Sequence, residues 1–181
     1  MASTLATSAS TEVALQAPVG IAQQIAAFSE VLLLGIWLGS MMFFSFAVAP
    51  SAFAVLPTRE LAGVMVTSTI GKIEMIGLVI GPLLILINAA KHPRRLSSGK
   101  GLHALLLLVM IAAAGLSRFW ISPAMVSLRA EMGGRIDDVA VTDPLRIQFN
   151  DLHQYSVGLM SAAMLSGLVV LFITVRSWIK R

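Results

Sequence analysis

No cysteine occurs anywhere in the 181 residues, so disulfides, thiolate metal sites and cysteine nucleophiles are excluded. Charge is scarce as well. Charged residues make up 12% of the chain against 57% hydrophobic, about half the charged fraction of an ordinary soluble domain. The first 25 residues, MASTLATSASTEVALQAPVGIAQQI, contain no Lys or Arg. They lack both the basic n-region of a signal peptide and the arginines of a transit peptide, and read as a polar, disordered tail. There is no G-x-S-x-G elbow, and no acid is placed to orient a histidine toward a serine, so no catalytic residue is expected and the chain reads as a non-enzyme. The pI is near 10.1, yet the basic residues form no stripe interleaved with aromatics, which argues against a nucleic-acid partner.

Four long apolar runs are what remains, with a mean hydropathy of +0.86 over the chain. Crossing a hydrocarbon core of roughly 30 Å takes about 20 helical residues. Ala26–Ala49, Ile70–Ala90, Leu102–Ile121 and Leu152–Val175 each reach that length. The reading is an all-α four-transmembrane-helix bundle in a lipid bilayer, occupying residues 26–177. Helical extensions beyond the membrane are expected, because residues 59–69 continue the second run and helix should continue past Pro123. The connection 122–151 then carries turn signals at Gly133–Gly134 and Asp143–Pro144.

Charge orients the spans. Lys91, Arg94, Arg95, Lys100, Arg176, Lys180 and Arg181 share one side with the single acid Glu12. The other side mixes Arg59, Arg129, Arg135 and Arg146 with six acids. The positive-inside rule therefore places both termini in the cytoplasm of a bacterial inner membrane.

Two charges interrupt the second run. Lys72 and Glu74 are two residues apart, about 200° around a helix, and cannot pair with each other. Glu74 shares its face with Thr67, Gly71, Gly77, Gly81 and Asn88, a small and polar stripe of the kind that meets other helices. Lys72 lies with Met65, Thr69, Ile76 and Val79, and is expected to snorkel as an interface anchor. In the third run Arg118 shares a face with Ile111, Ala114, Gly115 and Ser122. Both Glu74 and Arg118 stand 16 residues, or about 24 Å, from the cytoplasmic boundary, so they are expected to pair. Together with His153 and Ser156 they form the candidate polar site, either functional or a structural brace. Glu30, with His103 or Arg176 in reach, is expected to anchor the cytoplasmic end of the first span, and Trp37 and Trp120 are assigned as further interface anchors. Gly35-x3-Gly39 and Gly77-x3-Gly81 are small-residue faces that pack the bundle's own helices or serve a second copy or a larger membrane complex.

His103 and His153 lie at opposite ends of the bundle and cannot share one haem. Met160 and Met164 follow His153 on one face. With Met41 or Met75 they could ligate Cu(I), although methionine also fills irregular apolar gaps. No metal site and no cofactor is assigned. FAVAPSAFAVLPTRE (46–60) echoes FWISPAMVSLRAE (119–131): each leaves the membrane through a proline and ends in paired charges, as two hairpins of a parallel duplication would.

GIWLGSMMFFSFAVAPSAFAVL, RELAG, SRFWISPAMVSLR and FNDLHQYSVGLM together resemble the bacterial domain-of-unknown-function (4149) family, allied to eukaryotic transmembrane protein 205. The resemblance covers most of residues 35–167. It implies a compact four-span bundle with no established enzymatic activity, and its eukaryotic relatives' link to secretion and drug tolerance implies export or trafficking. Three functions follow from this reading. The first is a helper or small transport component, the second an accessory subunit of a respiratory or photosynthetic complex. The third is a copper or haem handler using His153 and the methionines.

Overall fold

The computed structural model describes residues 20–91 and 98–179; residues 1–19, expected as a polar tail, and residues 92–97 and 180–181, which carry four of the basic residues that orient the spans, lie outside the described residues. The described chain is a bundle of four long helices, without a strand. The first comprises α1 (Ile21–Phe43), a π-turn (Phe44–Val48) and α2 (Ala49–Val55). The second is α3 (Arg59–Lys91), which takes in the whole 59–69 stretch. The third comprises α4 (Ser98–Leu116), a second π-turn (Ser117–Ile121) and α5 (Ser122–Glu131). The fourth, α6 (Pro144–Ile179), starts eight residues before the apolar run does. Each of the four is long and apolar enough to cross a membrane.

The helix ends follow local chemistry. Gly133 and Gly134 adopt φ of 69° and 83°, and the Gly134 N–H donates to the Arg129 carbonyl at 2.9 Å. This left-handed stop ends α5, and glycine adopts it without steric cost. Asp143 Oδ1 accepts from the Leu145 N–H at 2.8 Å, capping α6 with Pro144 at its first position.

Around the bundle α1 packs on α3, α3 on α4, α4 on α6 and α6 on α1. The two hairpins repeat each other. Leu34 and Leu107, Met41 and Ala114, and Phe44 and Ser117 are each 73 residues apart, and all are buried. Gly77 and Gly167 are equivalent in the returning helices. A Cβ on Gly77 would stand 2.3 Å from Trp37 Nε1, and one on Gly167 would stand 3.1 Å from Met110 Cε. Trp37 and Met110 are themselves a 73-residue pair, so each hairpin seats one large side chain against one glycine. Six core side chains, Leu34, Trp37, Leu84, Leu107, Met110 and Val170, are less than 2% exposed. They come from all four spans and make a fully buried apolar layer across the middle of the bundle.

Candidate functional site

Pro50 and Pro123 create the site. Proline has no N–H, and its ring crowds the carbonyl four residues earlier, so an α-helix cannot pass through it undisturbed. In both spans the helix widens one turn ahead of the proline. The Ala49 N–H reaches back five residues to the Phe44 carbonyl, and the Ser122 N–H does the same to Ser117. The two π-turns occupy equivalent positions, 73 residues apart, and each adds a residue that re-aims the helix beyond it.

Beyond the π-turns the bundle divides. The continuation α2 packs on α3, while α5 packs on α6. A cleft of about 380 Å³ lies between these two pairs. Phe44 and Phe53 come from the first span, Thr67 from the second, Arg129 from the third, and His153 and Ser156 from the fourth. Asp137, in the connection beyond, reaches Arg59 of one hairpin at 3.8 Å and Arg146 of the other at 3.7 Å. These pairs are well exposed on at least one side and contribute little.

Below the cleft is a second, smaller cavity of about 30 Å³. The two share Ile70, Ser156 and Met160. A water needs about 10–15 Å³ of such space and two or more polar partners. Glu74 Oε2 and Ser117 Oγ, both buried and without a hydrogen-bond partner in the protein, supply them. The small cavity therefore suits one or two waters beside the Glu74 carboxyl.

Glu74 is 5% exposed, and Ser117 shares its cavity while Arg118 does not line it. Arg118 is near enough to act on the carboxylate by charge, but no guanidinium nitrogen comes within 4 Å of it, and Arg118 Nε is buried without an acceptor. The expected Glu74–Arg118 ion pair is not closed. The reason is angular: His103, Leu107, Met110, Ala114 and Ser117 form the buried face of the third helix, and Arg118 is about 100° off it. Lys72 is exposed on the side of Met65, Ile76 and Val79.

The opposite end of the bundle holds a polar cluster with one residue from each span. Asn88 Nδ2 donates to His103 Nδ1 at 2.7 Å. The ring proton is thereby assigned to Nε2, which faces Glu30 Oε1 at 3.0 Å. Thr174 Oγ1 also contacts His103 Nε2, at 3.2 Å, and donates to Glu30 Oε1 at 3.4 Å. Glu30 is 4% exposed, so it is a buried member of this cluster and not an interface anchor. Its spacing with Leu34, Trp37, Leu38 and Met41 already marked the inward face. Trp37 requires the same correction: at 1% exposure it is a core residue seated on Gly77. Trp120 is 73% exposed and faces outward.

The small-residue faces differ from each other. Gly77 and Gly81 are filled within the bundle by Trp37 and Ile111, so that face cannot receive a partner. Gly35 and Gly39 are exposed with nothing within 4 Å. His153, Met160 and Met164 share the cleft wall, where Ser45 Oγ donates to Met160 Sδ at 3.1 Å; Met75 is 46% exposed elsewhere. Among the described residues no three His, Cys, Asp or Glu side chains gather as a metal site would need. The sequence reading missed Arg129 as a cleft residue, having counted it only as a charge in the connection, and it missed Thr174 altogether.

Comparison with curated proteins and with solved structures returned no match in either case. The family described as "Domain of unknown function (DUF4149)" matches residues 32–133, a stretch that includes both π-turns and most of the residues lining the Glu74 cavity and the cleft, but none of the fourth span. With just over half of its length matched, this four-helix membrane protein belongs to the DUF4149 family.

Proposed function

We propose that this protein is a non-enzymatic component of small-molecule transport or export in a bacterial inner membrane, binding its cargo in the cleft between the two hairpins. The cleft carries the reading: all four spans contribute to it, and its volume falls within the roughly 300–1,000 Å³ of ligand pockets. The distribution of Lys and Arg supports cytoplasmic termini, which puts the cleft mouth on the outer side. Below both cavities, the buried apolar side chains of Leu34, Leu84, Leu107 and Val170 then separate it from the cytoplasm, as an outward-open site requires. The likeness to transmembrane protein 205 read from the sequence points the same way.

The test is retention of small molecules by the gently purified protein, followed by native mass spectrometry. Ser161 lines the cleft, and its hydroxyl is spent on the Val157 carbonyl of its own helix. Ser161→Trp should therefore fill the cleft without breaking a contact between helices, and should abolish retention. An unchanged retained set in that variant would refute the reading. Two other readings each have an observation in their favour. His153, Met125, Met160 and Met164 on one wall favour copper, which metal analysis of the same sample would reveal. The bare Gly35/Gly39 face favours an accessory subunit or homo-oligomer, which co-purifying chains would reveal.

A further inference from the structure

We infer that the cleft takes a single-chain amphiphile with an anionic head, drawn from the surrounding bilayer, with its head on Arg129. The inference rests on the cleft being a small-molecule site, and it names the class of molecule.

The polar groups of the cleft can be accounted for one by one. Thr67 Oγ1 donates to the Gly63 carbonyl at 2.7 Å, and Ser161 Oγ to the Val157 carbonyl at 2.8 Å. Ser45 Oγ is spent on Met160 Sδ. Arg129, His153, Ser122 and Ser156 remain, with no hydrogen bond to any described residue. No carboxylate lines the cleft.

Arg129 is the decisive group. Its Nε is buried without an acceptor. The Phe149 ring lies 5.6 Å from its guanidinium carbon. Glu60 acts on it by charge but does not come within 4 Å. A partly desolvated guanidinium lacking an acceptor is costly, and an anion presented to it would form the stronger, charge-assisted kind of hydrogen bond.

The other walls are apolar and open sideways. Phe46, Phe53, Val126 and Val157 line the cleft and are 73%, 47%, 54% and 53% exposed. Phe46 and Val157 fall within the expected spans 26–49 and 152–175, where exposed apolar side chains face acyl chains, so the cleft opens to lipid along this flank, and Phe53 and Val126 carry the apolar wall on beyond the prolines. A volume of about 380 Å³ is at the lower end of ligand pockets and suits one short chain better than two. The Glu74 carboxyl below the floor disfavours an anion held deep. That fixes the polarity: head at the Arg129 rim, chain between the phenylalanines.

The test uses the full-length protein in nanodiscs of zwitterionic lipid, titrated calorimetrically with laurate, dodecyltrimethylammonium, inorganic phosphate and phosphatidylglycerol vesicles. Laurate should bind saturably and at least about tenfold more tightly than the cationic amphiphile. Arg129→Gln should weaken laurate by about tenfold or more, the value of one charge-assisted hydrogen bond, while Arg129→Lys should retain most of the affinity. Should Arg129→Gln fail to fold, the comparison of laurate with the cation in the unaltered protein still decides the matter. Equal binding of the two amphiphiles, abolished by Ser161→Trp, would overturn the anionic class and leave the cleft reading intact. Binding of phosphate as tight as that of laurate would overturn the requirement for a chain, and tighter binding of phosphatidylglycerol the restriction to one chain. Laurate binding undiminished in Ser161→Trp would place the site elsewhere and overturn this inference and the cleft reading together.

Discussion

Adding one methyl group at Gly77 should damage the bundle far more than adding it at the equivalent Gly167. A Cβ at Gly77 would stand 2.3, 2.4 and 2.6 Å from Nε1, Cε2 and Cζ2 of Trp37. Those atoms belong to one rigid ring that is 1% exposed, so the indole has to move as a body by about 1 Å or the two helices have to part. Overpacking of this kind costs about 1–3 kcal/mol, and rigid neighbours put it near the upper end. Replacing glycine by alanine in a helix returns about 1 kcal/mol, which leaves a net loss of about 2 kcal/mol. For a chain of this length that is roughly 4–8 °C in Tm. At Gly167 the new methyl would meet Met110 Cε at 3.1 Å and Leu38 Cδ1 at 3.2 Å, both the free ends of flexible side chains. There the packing cost and the helix gain should nearly cancel. The assay is thermal unfolding in mild detergent followed by size-exclusion fluorescence. Trp37→Leu combined with Gly77→Ala should be more stable than the sum of the single losses, because each relieves the other's clash or void. Equal losses at Gly77 and Gly167, or strict additivity with Trp37→Leu, would refute the reasoning.

His103→Ala should cost about 3–5 kcal/mol, because it removes the imidazole from a carboxylate held in the interior; an unchanged melting temperature would show that the ring is not its partner. Glu74→Gln should leave stability unchanged or raise it, since it removes a charge whose Oε2 has no hydrogen-bond partner in the protein. Its coupling to Arg118→Met should stay under about 1 kcal/mol in a double-mutant cycle, and a coupling near 3 kcal/mol would show that the two do pair. Cysteines introduced by Ser97→Cys and Asp138→Cys should label from opposite faces of the membrane, and modification of the Ser97→Cys protein by an impermeant reagent in intact cells would overturn the orientation.

Length and apolarity were enough to read the four spans, because a bilayer leaves a backbone few ways to satisfy its hydrogen bonds. The face of Glu74 was legible too: the glycines beside it meet Trp37 and Ile111. Arg118 was misread because its face was chosen by the small residues Ala114, Gly115 and Ser122, whereas the seven-residue spacing of His103, Met110 and Ser117, all buried, selects Ser117 as the inward residue. Trp37 was misread because tryptophan was assigned to an interface by residue type alone, although it lies near the middle of the 26–49 run, where a glycine across the hairpin seats it in the core. The cleft could not be read from any local stretch. The prolines that cause it are plain in the sequence, but each shifts its helix only slightly. The opening exists because two such shifts, in spans distant in sequence, separate two helix pairs.

Glu30 and His103 are 73 residues apart, the interval that relates the two hairpins, so they are one position written twice. A contact between equivalent positions falls on the symmetry axis that relates them. Two copies of the first hairpin associating in the same way would bring Glu30 against Glu30 in a dry interior, and two copies of the second would bring His103 against His103. Only the mixed assembly sets an acid against an imidazole, with Asn88 and Thr174 closing the cluster from the flanks. In charge terms, each half of the chain is therefore complementary to the other and mismatched with its own duplicate.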